Sequence, residues 1–576
     1  MEVARLERLL DWGRQHGIKL PEQVEFRETA GRGIAAFASD EVASGAAFEL
    51  PRELILTSEL ALQHFNQPKD GNTWFKLLLA KMRFGGGPVD VRGCDVAAKF
   101  EPYVACLPAR VGSPLEWPVE MWKLLQGTNL GTSVGQKLLA VVQQWREVVA
   151  ELDAELDTAV QAQMAAAEEL LDSGASLWPD IYTRIAGGSP ESWLSFQAFL
   201  WGHLVLTSRA FPERVLRADC DESAVVLLPV LDLLNHSTDA RVEWSGKDGF
   251  TIRQLEPLRK GQEVCNNYGG KSNEELLLGY GFAMEDNLFD HVALRVCPPA
   301  VTVQAMLDAG LTLPTLDDYT TYAFERQPES PAVREASTYS EGVLFLLGRS
   351  NAALEQLLDM FAFQEAAAEE CHKALRCRLQ AMQNLIDLLK GRLHTIQEDE
   401  IVSHEQESAA KPDPQAVACV RIYRQQQHQL LRAAVKTLKH WEKETLAANK
   451  DKTVTFKNVT KHDPAFVDEL LPALFSNDVE FENYDDILLF WILLRGKSFV
   501  EIPKKFESLF AAYAKYARSP ADLSQGLQTM FESKYRTWFP EGSNQVSLDE
   551  LLRAAAFLMR HSYVRISSGE SIIIVE

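Results

Sequence analysis

Hydrophobic and polar positions along this chain change period several times. Leu6, Leu9, Leu10 and Trp12 recur at helical spacing in MEVARLERLLDWGRQHG, so the chain opens on an amphipathic helix. Residues 22–57 hold short alternating segments punctuated by Gly31, Gly33, Gly45 and Pro51, which predicts strands and tight turns. From about 74 to 215 the apolar spacing turns helical, most regularly over 136–172, with GGGP (85–88) as a loop. Strands are predicted again around 223–268, in ESAVVLLPVLDLLN, VEW, GFTIRQL and EVCNNY. The first of these is read as a buried strand running into the polar group Asn235-His236-Ser237. SNEELLLGYG then begins as a capped helix, with Ser272 and Asn273 ahead of Glu274 and Glu275.

From about 303 to 447 the reading is almost wholly helical, in segments 339–362, 364–396 and 413–447, with the polar gap 404–415 as a loop. KDKTVTFKNVTKHDPAF (450–466) is read as a linker. The remainder is mixed and ends in VRISSGESIIIVE, a predicted hairpin.

Length and composition narrow the class. At 576 residues the chain is too long for a single core, and its 46% hydrophobic and 24% charged residues are those of an ordinary soluble globular protein. The formal charge of −23 repels phosphate backbones, and no dense Lys/Arg run offsets it. Direct nucleic-acid binding is therefore not expected, and a basic ligand or substrate suits the surface better. None of the eight cysteines forms a CxxC pair, which points to thiols in a reducing compartment rather than to zinc or disulfides. The N-terminal stretch lacks a signal-peptide core and the acid-poor character of a transit peptide. ILLFWILL (487–494) is far shorter than the roughly 20 apolar residues of a membrane span, so no membrane partner is expected.

Two nucleotide motifs fail on inspection. A phosphate loop would need glycine five positions before Gly270, where Cys265 stands. GRGIAA (31–36) lacks the third glycine of a dinucleotide fingerprint, and its flanks read as strands. Four other short segments each have an ordinary structural explanation when taken alone. AGRG (30–33) suits a hairpin turn, and Arg209 of TSRAF (207–211) suits a helix end. DLLNHS (232–237) suits a polar turn after a strand, and Tyr280 of GYGF (279–282) suits a core rim.

In this order and these surroundings, the four segments resemble the SET-domain methyltransferases, in the branch of the Rubisco large-subunit lysine methyltransferase. EPYVACLP (101–108), SPLEW (113–117), LLQGT (124–128) and NNYGGKSNEELLLGYGF (266–282) carry the likeness through the catalytic part. LQAMQNLIDLLKGRLHTIQEDE (379–400) and ACVRIYRQQQHQLL (418–431) extend it into a second domain. The resemblance implies an α+β protein. A β-rich SET domain (1–285) is interrupted by a helical insert (about 74–222), followed by an all-α substrate-binding domain (290–447). Residues 448–576 lie outside the likeness, as a mixed C-terminal module. It implies S-adenosyl-L-methionine as co-substrate, no metal, and a lysine of a protein docked by the helical domain as acceptor.

By the same resemblance, Ala30, Gly31, Arg32, Arg209, Asp232, Asn235, His236, Tyr280 and Phe282 contact the cofactor. Tyr280 is the first catalytic candidate and Tyr268 the second. Arg209 suits a carboxylate because its guanidinium can bind two oxygens at once. Asp232 either holds that corner together or touches the cofactor. Two rival readings remain: an actin-type histidine methyltransferase, whose members lack the tyrosine of GYGF, and a non-catalytic SET-like binding protein. The chain is further expected to be a monomer of the cytoplasm or nucleus, with the chloroplast open only if a transit peptide has been removed.

Overall fold

The computed structural model describes residues 2–29, 31–85, 87–152, 154–174, 177–319, 334–366, 370–396, 413–474, 484–497, 502–517, 525–539, 546–565 and 569–575. So far as they are described, the residues divide into two compact units. One comprises 1–293, 316–332 and 395–429; the other comprises 294–315, 333–394 and 430–576.

In the first unit, the opening helix Glu2–Gln15 buries Leu6, Leu9 and Trp12 against the core, as its spacing requires. Strands Val24–Thr29 and Gly33–Ala38 pair antiparallel, with Thr29 opposite Gly33. Gly31 and Gly33 both take positive φ, the conformation that lets the chain reverse within so few residues. Glu263–Val264 adds a third strand to this hairpin. Ala47–Leu50, Phe250–Gln254 and Val242–Ser245 form a second three-stranded sheet. Leu56–Thr57, Val225–Leu227 and Phe211–Pro212 form a third. Between the N-terminal strands and the last two sheets run the helices of the insert, from Gly71–Arg83 to Phe196–Arg209.

The insert contains one electrostatically costly residue. Lys76 is 8% exposed, and its ammonium donates to Gln144 Oε1 at 2.6 Å. Burial pulls its pKa down to about 8. An unfolded lysine titrates near its ordinary 10.5, so between about 8 and 10.5 the unfolded state binds the extra proton. Lys76 therefore destabilises the fold fully below pH 8, and stability rises as pH climbs through that window. Lys76→Met should stabilise the first unit by up to about 3 kcal/mol at pH 7, and flatten the rise between pH 8 and 10. Denaturant titrations at several pH values test this; a less stable variant at pH 7 rejects it.

Three local expectations are corrected. The run read as a buried strand delivering Asn235 is a strand only over Val225–Leu227. Pro229 has no N–H for a ladder, Val230 takes φ +73, and Leu231–Leu233 close a tight 3-10 turn. The segment expected to be helical from 339 holds the strand Val343–Leu347, entered from Gly342 at φ +94 and paired with Val292–Val296; the helix begins at Ala352. A short apolar run between glycines satisfies either period, and the alternating burial of VLFLL shows which won. The region named all-α thus carries a two-stranded sheet.

Residues 450–466 are not a linker. Thr453–Val454 pairs with Ile573 and Ile574, and Thr455 caps the helix Phe456–His462 with a reciprocal Asn458 bond. Val454, Val459 and Phe466 are buried in a core shared with Trp491 and Phe557. The partner strand lies 120 positions away, where no local pattern could reveal it. The expected terminal hairpin is present, with Ser562–Arg565 antiparallel to Glu570–Ile574. The loop placed at 404–415 falls mostly outside the described residues. Among the described residues no helix is long and apolar enough to cross a membrane.

Candidate active site

A cavity of about 1020 Å³ opens in the first unit. Gly31, Arg32, Arg209, Asp232, Asn235, His236, Tyr268, Tyr280 and Phe282 all line it, although they come from four stretches of sequence. Ala30 lies outside the described residues.

Asn235 and His236 are held by a parallel bridge to Asn266 rather than by a strand. The Asn266 N–H donates to the Asn235 carbonyl at 2.8 Å, and the Ser237 N–H donates to the Asn266 carbonyl at 3.0 Å. The Asn235 amide donates to Glu263 Oε1 at 2.9 Å, and Arg32 pairs with the same carboxylate at 2.8 Å. Glu263 therefore ties the hairpin turn to the Asn235 corner. Gln415 secures the turn from the other side by donating to the Gly31 carbonyl.

Arg209 ends the helix Phe196–Arg209, and both of its bonds leave from Nη1. They run to the Asp232 carbonyl at 3.1 Å and to Asp232 Oδ2 at 3.3 Å. The Tyr103 hydroxyl donates to that same Oδ2 at 2.8 Å. Asp232 Oδ1 is buried without a hydrogen-bond partner among the described residues. Burial raises the Asp232 pKa, against the pull of Arg209 and the Tyr103 hydrogen bond. One corner of the Arg209 guanidinium is thus occupied by Asp232.

The aromatic residues form a staircase. His236 stacks on Tyr268 at 4.9 Å, and Tyr268 stacks on Tyr280 at 5.1 Å. Phe282 meets Tyr280 edge-on at 6.2 Å. The Tyr268 N–H donates to His236 Nδ1 at 3.1 Å, which places the imidazole proton on Nε2. Burial, then the charge of Lys271, pulls the His236 pKa down to about 4, so the ring is neutral at pH 7. The two tyrosines differ in what their hydroxyls do. That of Tyr268 donates to the Leu234 carbonyl at 2.9 Å, whereas no described residue is hydrogen-bonded to that of Tyr280. Burial raises both phenols above their ordinary value, so both stay protonated.

Tyr280 closes the helix Asn273–Tyr280, whose N-terminus carries the full Ser272–Glu275 capping box anticipated from SNEE. Gly281 follows at φ +77, with its Cα face against Val111 and Gly112. That loop is pinned by Trp117, whose indole donates to the Gly112 carbonyl at 2.8 Å, and by Glu116, which accepts from the Gly112 N–H. SPLEW thus supports the site from below. Glu263, Gln415 and Tyr103 gave no chemical signal of their own; their partners lie 28 to 384 positions away.

Similarity to known proteins agrees with this geometry. "Ribosomal lysine N-methyltransferase 1" of Saccharomyces cerevisiae is 36% identical over 586 residues, covering 99% of this chain and 98% of that one. The chain belongs to the SET-domain protein-lysine methyltransferase family. As a member of that family it is an S-adenosylmethionine-dependent protein-lysine N-methyltransferase. A second relative, "Protein-lysine N-methyltransferase EFM1" of the same yeast, is 26% identical over 86% of this chain and 84% of its own length. Residues 322–449 match the EFM1 middle domain model. The solved structure of Rubisco LSMT bound to sinefungin and monomethyllysine shares the fold, with TM-score 0.51 and 16% identity. That alignment covers 82% of this chain and 99% of that one.

The cavity fits the SET-domain cofactor on three counts. Its volume suits a nucleoside-sized ligand, at the top of the roughly 300–1,000 Å³ usual for small-molecule sites. Arg209 keeps Nε and Nη2 uncommitted among the described residues, a donor edge for a carboxylate. Tyr280 lines it with a hydroxyl to which no described residue is hydrogen-bonded.

Proposed function

We propose that this methyltransferase modifies a lysine of a ribosomal protein, with the cavity as its reaction chamber. The observation that carries the catalytic part is the convergence of Arg209, Asn235 and the Tyr268–Tyr280 stack on one cavity. The substrate class follows from the end-to-end match to a ribosomal lysine methyltransferase, and ribosomal proteins, being basic, suit a chain of charge −23. The second unit would dock that protein, and the enzyme would work as a monomer in the cytoplasm or nucleus, where such substrates are met.

In this reading Arg209 binds the methionyl carboxylate, and the turn around Gly31 and Arg32 lies against the amino-acid end. The backbone of His236 has no hydrogen-bond partner among the described residues and can meet the adenine, because the bridge to Asn266 uses the flanking Asn235 carbonyl and Ser237 N–H. S-adenosylmethionine supplies an activated methyl group on a sulfonium. The protein supplies position and dryness. Displacement must be in line, so the amine has to be held opposite the sulfur, and much of the acceleration comes from that alignment. A lysine ammonium near pKa 10.4 has no lone pair, and desolvation among the rings of Tyr268, Tyr280 and Phe282, beside the sulfonium charge, favours loss of its proton. Tyr280, protonated and with no partner for its hydroxyl oxygen among the described residues, can accept weak C–H contacts from the methyl and orient the amine. The tyrosine at this position favours lysine over histidine.

Incubating the full chain with labelled S-adenosylmethionine and whole-cell lysate that includes its ribosomes, then mapping the label by mass spectrometry, tests the proposal. Label on a ribosomal lysine is the expected result. Label confined to non-ribosomal lysines overturns the substrate class, and label on histidine or nowhere overturns the chemistry.

A further inference from the structure

We propose that Tyr103 is a positioning residue for the cofactor's carboxylate: it holds Asp232 to a one-oxygen grip on Arg209 that leaves the remaining guanidinium edge open. This rests on the assignment of Arg209 to that carboxylate. Tyr103 belongs to the helix Val96–Cys106 of the insert, far in sequence from both partners, and is 1% exposed.

A carboxylate facing a guanidinium ordinarily takes it with both oxygens, through two parallel N–H···O bonds. Asp232 does not. Oδ2 accepts from Tyr103 at 2.8 Å and from Arg209 Nη1 at 3.3 Å, while Oδ1, although buried, meets no donor among the described residues. A buried oxygen left without a donor is costly, so something must keep the carboxylate from rotating onto Arg209 Nε or Nη2. The Tyr103 hydroxyl is the group placed to do so. It is buried, it has a single proton, and that proton is committed to Oδ2. Without it, the Asp232 carboxylate is free to close both edges of the fork and to compete with the cofactor's own carboxylate.

The effect should therefore depend on whether a ligand carries that carboxylate. S-adenosylhomocysteine has it; 5′-methylthioadenosine keeps the nucleoside and thioether but lacks the amino-acid end. In Tyr103→Phe, calorimetry should show S-adenosylhomocysteine weakened about tenfold, the scale of one lost charge-assisted hydrogen bond, with methylthioadenosine unchanged. An equal loss for both ligands would mean that Tyr103 merely supports the fold, and no loss for either would mean that it does not restrain Asp232. Each overturns the inference. Adding Asp232→Asn to Tyr103→Phe should restore part of the binding, because a neutral amide does not close the fork as an anion does. If Tyr103→Phe yields no folded protein, Asp232→Glu carries the test: its longer carboxylate reaches both edges with Tyr103 in place. It should weaken S-adenosylhomocysteine alone, and unchanged selectivity overturns the inference. Arg209→Gln separates the two levels. If it leaves the preference for S-adenosylhomocysteine intact, the assignment of Arg209 itself is wrong; if it abolishes that preference while Tyr103→Phe does not, only the role of Tyr103 falls.

Discussion

Replacing Tyr280 with phenylalanine is expected to lower turnover at least about tenfold, a barrier increase of about 1.4 kcal/mol or more, while cofactor binding stays nearly unchanged. The substitution keeps the ring, so the stack on Tyr268 and the edge contact with Phe282 survive. Arg209 and Asn235, the groups proposed to bind the cofactor, donate to Asp232 and Glu263, and the Asn235 carbonyl accepts from the Asn266 N–H; none of these bonds involves Tyr280. What disappears is a cavity-facing hydroxyl that no described residue engages, and whose value under the proposed mechanism lies in orienting methyl and amine. The neighbouring phenol provides the contrast. The Tyr268 hydroxyl donates to the Leu234 carbonyl, so Tyr268→Phe should cost about 1 kcal/mol of local stability and affect rate less directly. Single-turnover rates with cofactor affinities measured alongside decide the matter. An unaffected rate in Tyr280→Phe would remove its assigned role.

Gly281→Ala should be nearly as damaging, by a different route. A Cβ built on Gly281 would lie 2.3 Å from the Val111 carbonyl oxygen and 2.8 Å from the Gly112 carbonyl carbon. Both are backbone atoms, held by Trp117 and Glu116, and cannot step aside cheaply. The residue also sits at φ +77, which costs an L-residue about 1–2 kcal/mol. Overpacking adds about 1–3 kcal/mol, so the first unit should lose about 2–5 kcal/mol and activity should fall with the displaced Tyr280. Gly279→Ala is the matched control. Its Cβ would have only the Thr207 carbonyl oxygen within 4 Å, at 3.8 Å, and it lies inside the helix Asn273–Tyr280, where alanine is favoured. Melting and rate measurements on the pair should separate them widely. Similar behaviour of the two would show that the close approach at Gly281 has no mechanical role.

Much of this fold is legible in the sequence. The opening helix, the hairpin at Gly31–Gly33, the capped start of SNEELLLGYG and the terminal hairpin all follow from local rules of period, capping and turn chemistry. Those rules act within a few residues, so sequence carries them directly. The resemblance placed the candidate site residues, and the nine that are described line one cavity.

What failed locally failed for one reason. VLFLL and the stretch before Asn235 are short apolar runs whose period fits more than one element. Thr453–Val454 looked polar enough for a linker until its partner strand, 120 positions away, was present. In each case the deciding term was burial against something distant.

Sequence by itself therefore determined the kind of chemistry and, through the family resemblance, named the residues proposed to carry it, because their types, order and neighbours match even where each alone has an ordinary structural explanation. Only the tertiary structure decided how they are held. Glu263 joins Arg32 to Asn235, and Gln415 reaches the Gly31 carbonyl across 384 positions. Tyr103 and Arg209 share a single oxygen of Asp232. Hydrogen bonds and ion pairs between distant segments depend on distance and angle, not on spacing along the chain, so no reading of the sequence could have supplied them.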